Sequence, residues 1–231
     1  MKPTIAFLQT ISLFDNLPET ALQELAVLSQ PRAVESGGFF FMQGEPARHM
    51  YVLTQGRVKL TQVSVDGQQV GMRMVVPPQM FAGIALLNPK KGYPVSAEVM
   101  EDAVALFWTG DDLRKLADRY PALSFAVMDV MRGYIEEMQS RFRELATERL
   151  EQRVARALLR LTTQTGSKLD TGGIEIILSR QDLAEMSGTT LFSTSRILSA
   201  WERQGLIETS RGRVVILKPH GLVQIAEDLS G

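Results

Sequence analysis

The sequence predicts an α+β chain in three parts: a β jelly-roll barrel with a short helical lead over residues 1–120, one long helix over 121–147, and a winged helix-turn-helix over 148–231. Three observations carry this reading. Apolar residues alternate with period two between Phe39 and Trp108, in short runs parted by glycine turns. A helical period then runs from Ala122 to about Thr147. Finally, Ser179 followed by Asp182 opens a pair of short helical segments about Gly188, and a small hairpin comes after them.

Composition bounds the function classes. The chain has 231 residues, enough for one large or two modest domains, with 45% apolar and 22% charged residues. Its net charge of −1 excludes coating of nucleic acid through bulk charge but allows one local basic face. With no cysteine there is no disulfide, thiolate zinc site or thiolate-held iron–sulfur cluster. Two histidines, His49 and His220, leave little for acid–base or metal chemistry. No run approaches 18 apolar residues and Met1 to Ile11 has no signal-peptide core, so the expected setting is the cytoplasm, with no membrane partner.

In chain order, Asp15 to Glu19 is a helix-start signal, with Leu22, Leu25, Ala26 and Leu28 at helical spacing after it, and Gly37-Gly38 ends that region. Strand-type runs follow at Phe39–Met42 and Tyr51–Leu53, the latter leading to a Gln55-Gly56 turn. Val58 to Ser64 and Val70 to Val76 flank Asp66-Gly67 as a hairpin, and several short strands at this spacing indicate a barrel or jelly roll. Tyr120-Pro121 breaks the chain before the long helix. There Val127, Met131, Tyr134, Met138, Arg141 and Leu145 recur at steps of four and three, an a/d seam that predicts a homodimer. A charge placed at Met131 or Met138 is expected to disrupt it.

In the last third, helices are expected over Leu150–Thr165, Arg180–Ser187 and Thr190–Gln204, with a hairpin turning at Ser210–Arg213. A helix-turn-helix enters the major groove through the N-terminal residues of its second helix. The expected DNA-contacting set is therefore Ser179, Arg180, Gln181, Thr189, Thr190, Leu191, Phe192, Ser193, Ser195 and Arg196, with Arg211 and Arg213 on the wing touching backbone only. Ile197, Leu198 and Trp201 form the buried side. Between Thr147 and Pro219 there are eleven Lys/Arg against eight Asp/Glu, so the positive end of the chain coincides with this motif.

The order of parts resembles the CRP/FNR superfamily of bacterial transcription regulators. The residues that carry the resemblance are Gln43-Gly44-Glu45-Pro46, Tyr51-Val52-Leu53 with Gly56, Val58 and Leu60, Phe81-Ala82-Gly83-Ile84-Ala85-Leu86-Leu87, and Ser179 to Ala184 through Ser195 to Leu198. It implies a cyclic-nucleotide-type barrel, a dimerisation helix, double-stranded DNA and RNA polymerase as partners, and an effector pocket at Phe81, Ala82, Gly83, Ile84, Ala85, Val95 and Ser96. Cyclic-AMP-binding members carry a ribose-holding Glu where this chain has Gly83, and a phosphate-neutralising Arg where it has Val95. Arg73, Lys90 and Lys91 are the other cations at hand. The usual mode of cyclic-AMP binding is thus not expected, because a buried phosphate needs its charge partner.

The Phe81-Ala82 variant is similar to nitric-oxide and denitrification regulators, which makes His49 the candidate haem ligand, beside the plain reading of a barrel histidine. The resemblance further matches Arg196 to the arginine that reads a guanine and puts Phe192 where members carry a cytosine-reading Glu. The operator is expected to keep the guanine and to be degenerate, or to favour T, opposite Phe192, unless that ring turns inward. Two other function classes stay open: a ligand-binding module that controls a partner protein, and a jelly-roll metal enzyme. The latter needs several histidines on one metal, where the barrel offers His49 alone.

Overall fold

A computed structural model describes residues 3–87, 92–170 and 172–228. The chain divides into two compact units, Met1–Gly67 with Met72–Met138, and Gln68–Gly71 with Gln139–Gly231. The division falls inside the long helix, between Met138 and Gln139.

In the first unit a lead of α1 (Ile5–Leu8), a 3-10 turn (Ser12–Phe14) and α2 (Glu19–Leu28) precedes the strands. These are β1 (Gln30–Val34), β2 (Phe39–Phe41), β3 (His49–Val63), β4 (Gln69–Val75), whose residues 69–71 belong to the second unit, and β5 (Met80–Phe81). Then come α3 (Ile84–Leu87), β6 (Ser96–Thr109), α4 (Gly110–Arg119) and α5 (Ala122–Thr147). The sheet runs β1-β6-β3-β4, with β2 on β6 and β5 on β3.

Two departures from the sequence reading have a local cause. The chain is already extended at Gln30, because β1 is drawn into register with β6, Gln30 facing Phe107. The Gln55-Gly56 pair is not a turn between strands but a bulge within β3, where the pairing with β6 shifts register. Gly56 makes this possible: its φ is +79°, and a Cβ there would lie 2.3 Å from the Asp102 carbonyl oxygen.

Alternation along β3 and β6 divides their side chains between two cores. Met50, Val52, Leu106 and Trp108 face the helices, where Trp108 meets Phe14 edge-on at 5.9 Å and donates its indole N–H to the Leu25 carbonyl at 2.8 Å. Tyr51, Leu53 and Ala105 face the barrel interior with Phe40, Phe41, Phe81 and Tyr93.

The second unit contains α6 (Leu150–Thr165), β7 (Ser167–Lys168), β8 (Ile174–Ile177), α7 (Arg180–Ser187) and α8 (Leu191–Arg203). It ends with β9 (Ile207–Ser210), β10 (Arg213–Ile216) and α9 (Pro219–Ala226). Its antiparallel sheet runs β7-β8-β10-β9. Val154, Ala155, Leu158 and Leu161 form the buried stripe of α6, while Arg160 pairs with the buried Glu144 carboxylate at 2.7 Å.

Along α5 part of the row expected as a seam is taken up within the first unit. Val127 is fully buried in the first unit's own core and Met131 packs against that core. The Tyr134 hydroxyl donates to the Met80 carbonyl at 2.6 Å, and Arg141 is half-buried. Met138 and Leu145 of the expected seam are exposed, and so is a second row, Met128, Ile135 and Phe142, one position on from Val127, Tyr134 and Arg141. Both rows repeat every seven residues and lie one position, about 100°, apart on the helix. A seven-residue period marks a two-faced helix without saying which row meets its own barrel.

Candidate nucleic-acid interface and effector pocket

The candidate interface is built from two caps and a wing. At the start of α7 the Ser179 hydroxyl accepts the Asp182 N–H at 3.0 Å, and the Asp182 carboxylate accepts the Ser179 N–H at 3.3 Å. Ser179 is thereby committed to the cap. Gly188 ends the helix in the left-handed region, φ 62° and ψ 47°. Thr189 donates its N–H to Ala184 at 3.0 Å, and the Thr190 hydroxyl caps α8 by accepting the Ser193 N–H at 3.2 Å.

With the helix start fixed, the faces of α8 follow. Thr194, Ile197, Leu198 and Trp201 point into the core. Leu191 is 47% and Phe192 78% exposed, so the ring does not turn inward. Arg196 is exposed and Ser193 and Ser195 are half-buried. Steps of four, seven and eleven from Phe192 add Arg196, Ser199 and Arg203 to one stripe. Ser199 and Arg203 were absent from the expected set, although the same periodicity identifies them.

Arg180 has a partner within the fold. It is half-buried, and its guanidinium donates to the Thr209 hydroxyl on β9 at 2.8 Å. That hydroxyl in turn donates to Glu202 on α8 at 3.1 Å, so one chain of hydrogen bonds ties α7, the wing and α8 together. Gln181 is exposed and donates to Glu185 at 3.0 Å. Arg211 is exposed beside Gly212 at the wing tip, and Arg213 pairs with Glu175 at 2.8 Å.

In the first unit Phe81 and Ala85 are fully buried and Ser96 is buried, its hydroxyl accepting the Gln43 N–H at 2.9 Å. Ala82 has φ 63°, Ile84 opens α3, and Val95 packs against the aromatic interior. Phe41 stacks on Tyr93 at 3.8 Å and Tyr51 on Phe81 at 5.0 Å. Burial pushes the Tyr93 hydroxyl up to about 12. His49 is half-buried, edge-on to Phe107 at 4.9 Å. Burial first, then the Arg32 and Arg48 guanidinium groups, hold its imidazole below the ordinary value.

Residues 31–120 match the family model for a cyclic nucleotide-binding domain, and residues 152–225 that for a Crp-like helix-turn-helix domain. The transcriptional regulator LdrP of Thermus thermophilus is 31% identical over 177 residues, which cover 77% of this chain and 87% of that protein. The chain belongs to the CRP/FNR superfamily of transcription regulators. The anaerobic regulatory protein of Bacillus subtilis is 26% identical over 194 residues, covering 84% of this chain and 82% of its own. A solved CRP-family transcriptional regulator from Thermus thermophilus superposes with a TM-score of 0.73 at 27% identity, covering 85% of this chain and 96% of that one. These relatives are transcription regulators rather than enzymes, and the helix-turn-helix is the DNA-binding part.

Membership in the CRP/FNR superfamily raises the question of a cyclic nucleotide, and the two positions expected to hold cyclic AMP in the usual mode carry no charged side chain. Gly83 carries no carboxylate, and a Cβ there would already lie 3.0 Å from the Met80 methyl and 3.3 Å from Val127. Val95 carries no charge. Arg73 is committed to Glu137 at 3.2 Å and lies over the Tyr134 ring at 4.2 Å. Lys90 and Lys91 lie outside the described residues. Among the described residues no cluster of three or more His, Asp or Glu is arranged to hold a metal ion, and no helix is long and apolar enough to cross a membrane.

Proposed function

We propose that this CRP/FNR regulator binds a palindromic operator as a homodimer, laying α8 of each copy in the major groove. One observation carries the reading: α8 buries Thr194, Ile197, Leu198 and Trp201 while its opposite stripe, including Phe192 and Arg196, has no work to do within the fold. Arg196 would make a bidentate contact to a guanine. Arg211 at the wing tip and the positive N-terminal end of α8 would meet phosphates. Arg180 acts through the wing, holding β9 against α7. The second copy would pair along Met128, Ile135, Met138, Phe142 and Leu145. RNA polymerase is the partner that a DNA-bound regulator of this kind addresses. The effector is something other than cyclic AMP held through a carboxylate and an arginine.

Selection of binding sites from random DNA tests this. The expected outcome is a two-fold symmetric consensus with a guanine in each half-site, and loss of the preference for that guanine in Arg196→Ala. Absence of any enriched sequence overturns the reading.

A further inference from the structure

We infer that Phe192 reads the 5-methyl group of a pyrimidine in the major groove, so that each half-site requires a methylated pyrimidine near the guanine facing Arg196. The inference rests on the DNA-binding reading above and deepens it. Phe192 sits in the first turn of α8, and its ring is 78% exposed. Folding gains little from a phenylalanine so placed. Its surroundings are Thr190, Ser193, Ser195 and Arg196, so with the exposed Leu191 it forms a small apolar knob on a polar, cationic surface.

A protein partner bound through hydrophobic contact would call for a broader apolar patch than these two side chains offer. The major groove, by contrast, is lined with donors and acceptors and carries one apolar group, the methyl of thymine. A phenyl ring has no hydrogen-bonding atom to offer, so the methyl is what it can recognise there. Phe192 and Arg196 lie one helical turn apart, about 6 Å along the axis, which spans about two base-pair steps. The methyl-bearing base therefore lies within about two pairs of the guanine.

A contact made to the methyl alone is indifferent to the rest of the pyrimidine. Cytosine methylated at C5 carries the same group at the same position in the groove and would engage the ring as thymine does. The structure thus assigns this regulator a sensitivity to cytosine methylation at one operator position.

The experiment starts from the selected operator. Each half-site thymine is replaced in turn by deoxyuridine, which removes only the methyl. At the same positions cytosine is compared with 5-methylcytosine. Affinities are measured by fluorescence anisotropy for the wild type and for Phe192→Ala, whose fold is checked by circular dichroism. At one position the thymine-to-deoxyuridine change should weaken wild-type binding about fourfold per half-site and about fifteenfold in both, the worth of one buried methyl-sized group. Methylating cytosine there should strengthen binding by a similar ratio. In Phe192→Ala both ratios should fall to about one while the guanine preference persists. The inference is overturned if no half-site thymine depends on its methyl, or if the methyl effect is undiminished in Phe192→Ala. If selection enriches no sequence at all, the DNA-binding reading fails and takes this inference with it.

Discussion

His49 shows how much a single side chain takes from its surroundings. Its ring is packed edge-on against Phe107 and Tyr51, and its main chain is pinned at both atoms by Tyr93, whose hydroxyl accepts the His49 N–H at 3.0 Å and donates to the His49 carbonyl at 2.9 Å. Burial and the guanidinium groups of Arg32 and Arg48 all oppose protonation, and together they depress its pKa below the model-peptide value of 6.5. In the unfolded chain that opposition is absent. The neutral-imidazole contribution is therefore present above 6.5 and lost as the pH falls through the depressed folded value. Replacing the residue removes the penalty, so His49→Gln should show a smaller drop in thermal midpoint than the wild type between about pH 7 and about pH 5. An equal drop in both would contradict the assignment. The departures at Gly83 and Val95 were legible in the sequence because each falls inside a short motif of its own. The stack of Phe41 on Tyr93 was not, because it joins residues far apart in the chain and only the folded sheet brings them together.

At the scale of an element, α5 was placed end to end by its period, but Val127 and Tyr134 of its expected seam turn to their own unit. Its inner row, Val127 and Tyr134, packs on the barrel, whereas Ile135 is 54% and Phe142 75% exposed. Arg141 at the end of the inner row was the one sign in the sequence that this row was not a dry seam. The two rows are expected to respond differently to substitution. Ile135→Glu and Phe142→Glu would each bury like charges against their symmetry mates and should shift the protein to monomer in sedimentation velocity. Tyr134→Phe loses the hydrogen bond to the Met80 carbonyl. It should cost about 1 kcal/mol in denaturant unfolding while leaving the oligomeric state alone. A dimeric Phe142→Glu protein would remove this row as the interface. The helix-turn-helix was read closely because its signals are local: Ser179 and Asp182, Gly188 and Thr190 each act within four residues. The link from Arg180 through Thr209 to Glu202 crosses from helix to wing, and no sequence period announces it.

For the whole molecule, the order of parts and the placement of positive charge at the C-terminal end were both legible, since each follows from residues counted along the chain. On the proposed reading, two copies act together on DNA. A two-fold axis along the exposed row of α5 would present the two α8 helices to successive major-groove faces, about 34 Å or one helical turn apart. Avidity then requires both half-sites on the same side of the duplex. Inserting about five base pairs between them turns one half-site to the far side and lengthens the span by about half a turn. A dimer rigid enough to specify the spacing cannot follow, and binding falls back to a single half-site, a loss of about 100-fold or more. The measurement is anisotropy at fixed salt, because every phosphate contact makes affinity salt-dependent. Ile135→Glu, bound as a monomer, should be indifferent to the insertion. If the wild type is equally indifferent, the two half-sites are read independently and the paired docking of α8 is wrong.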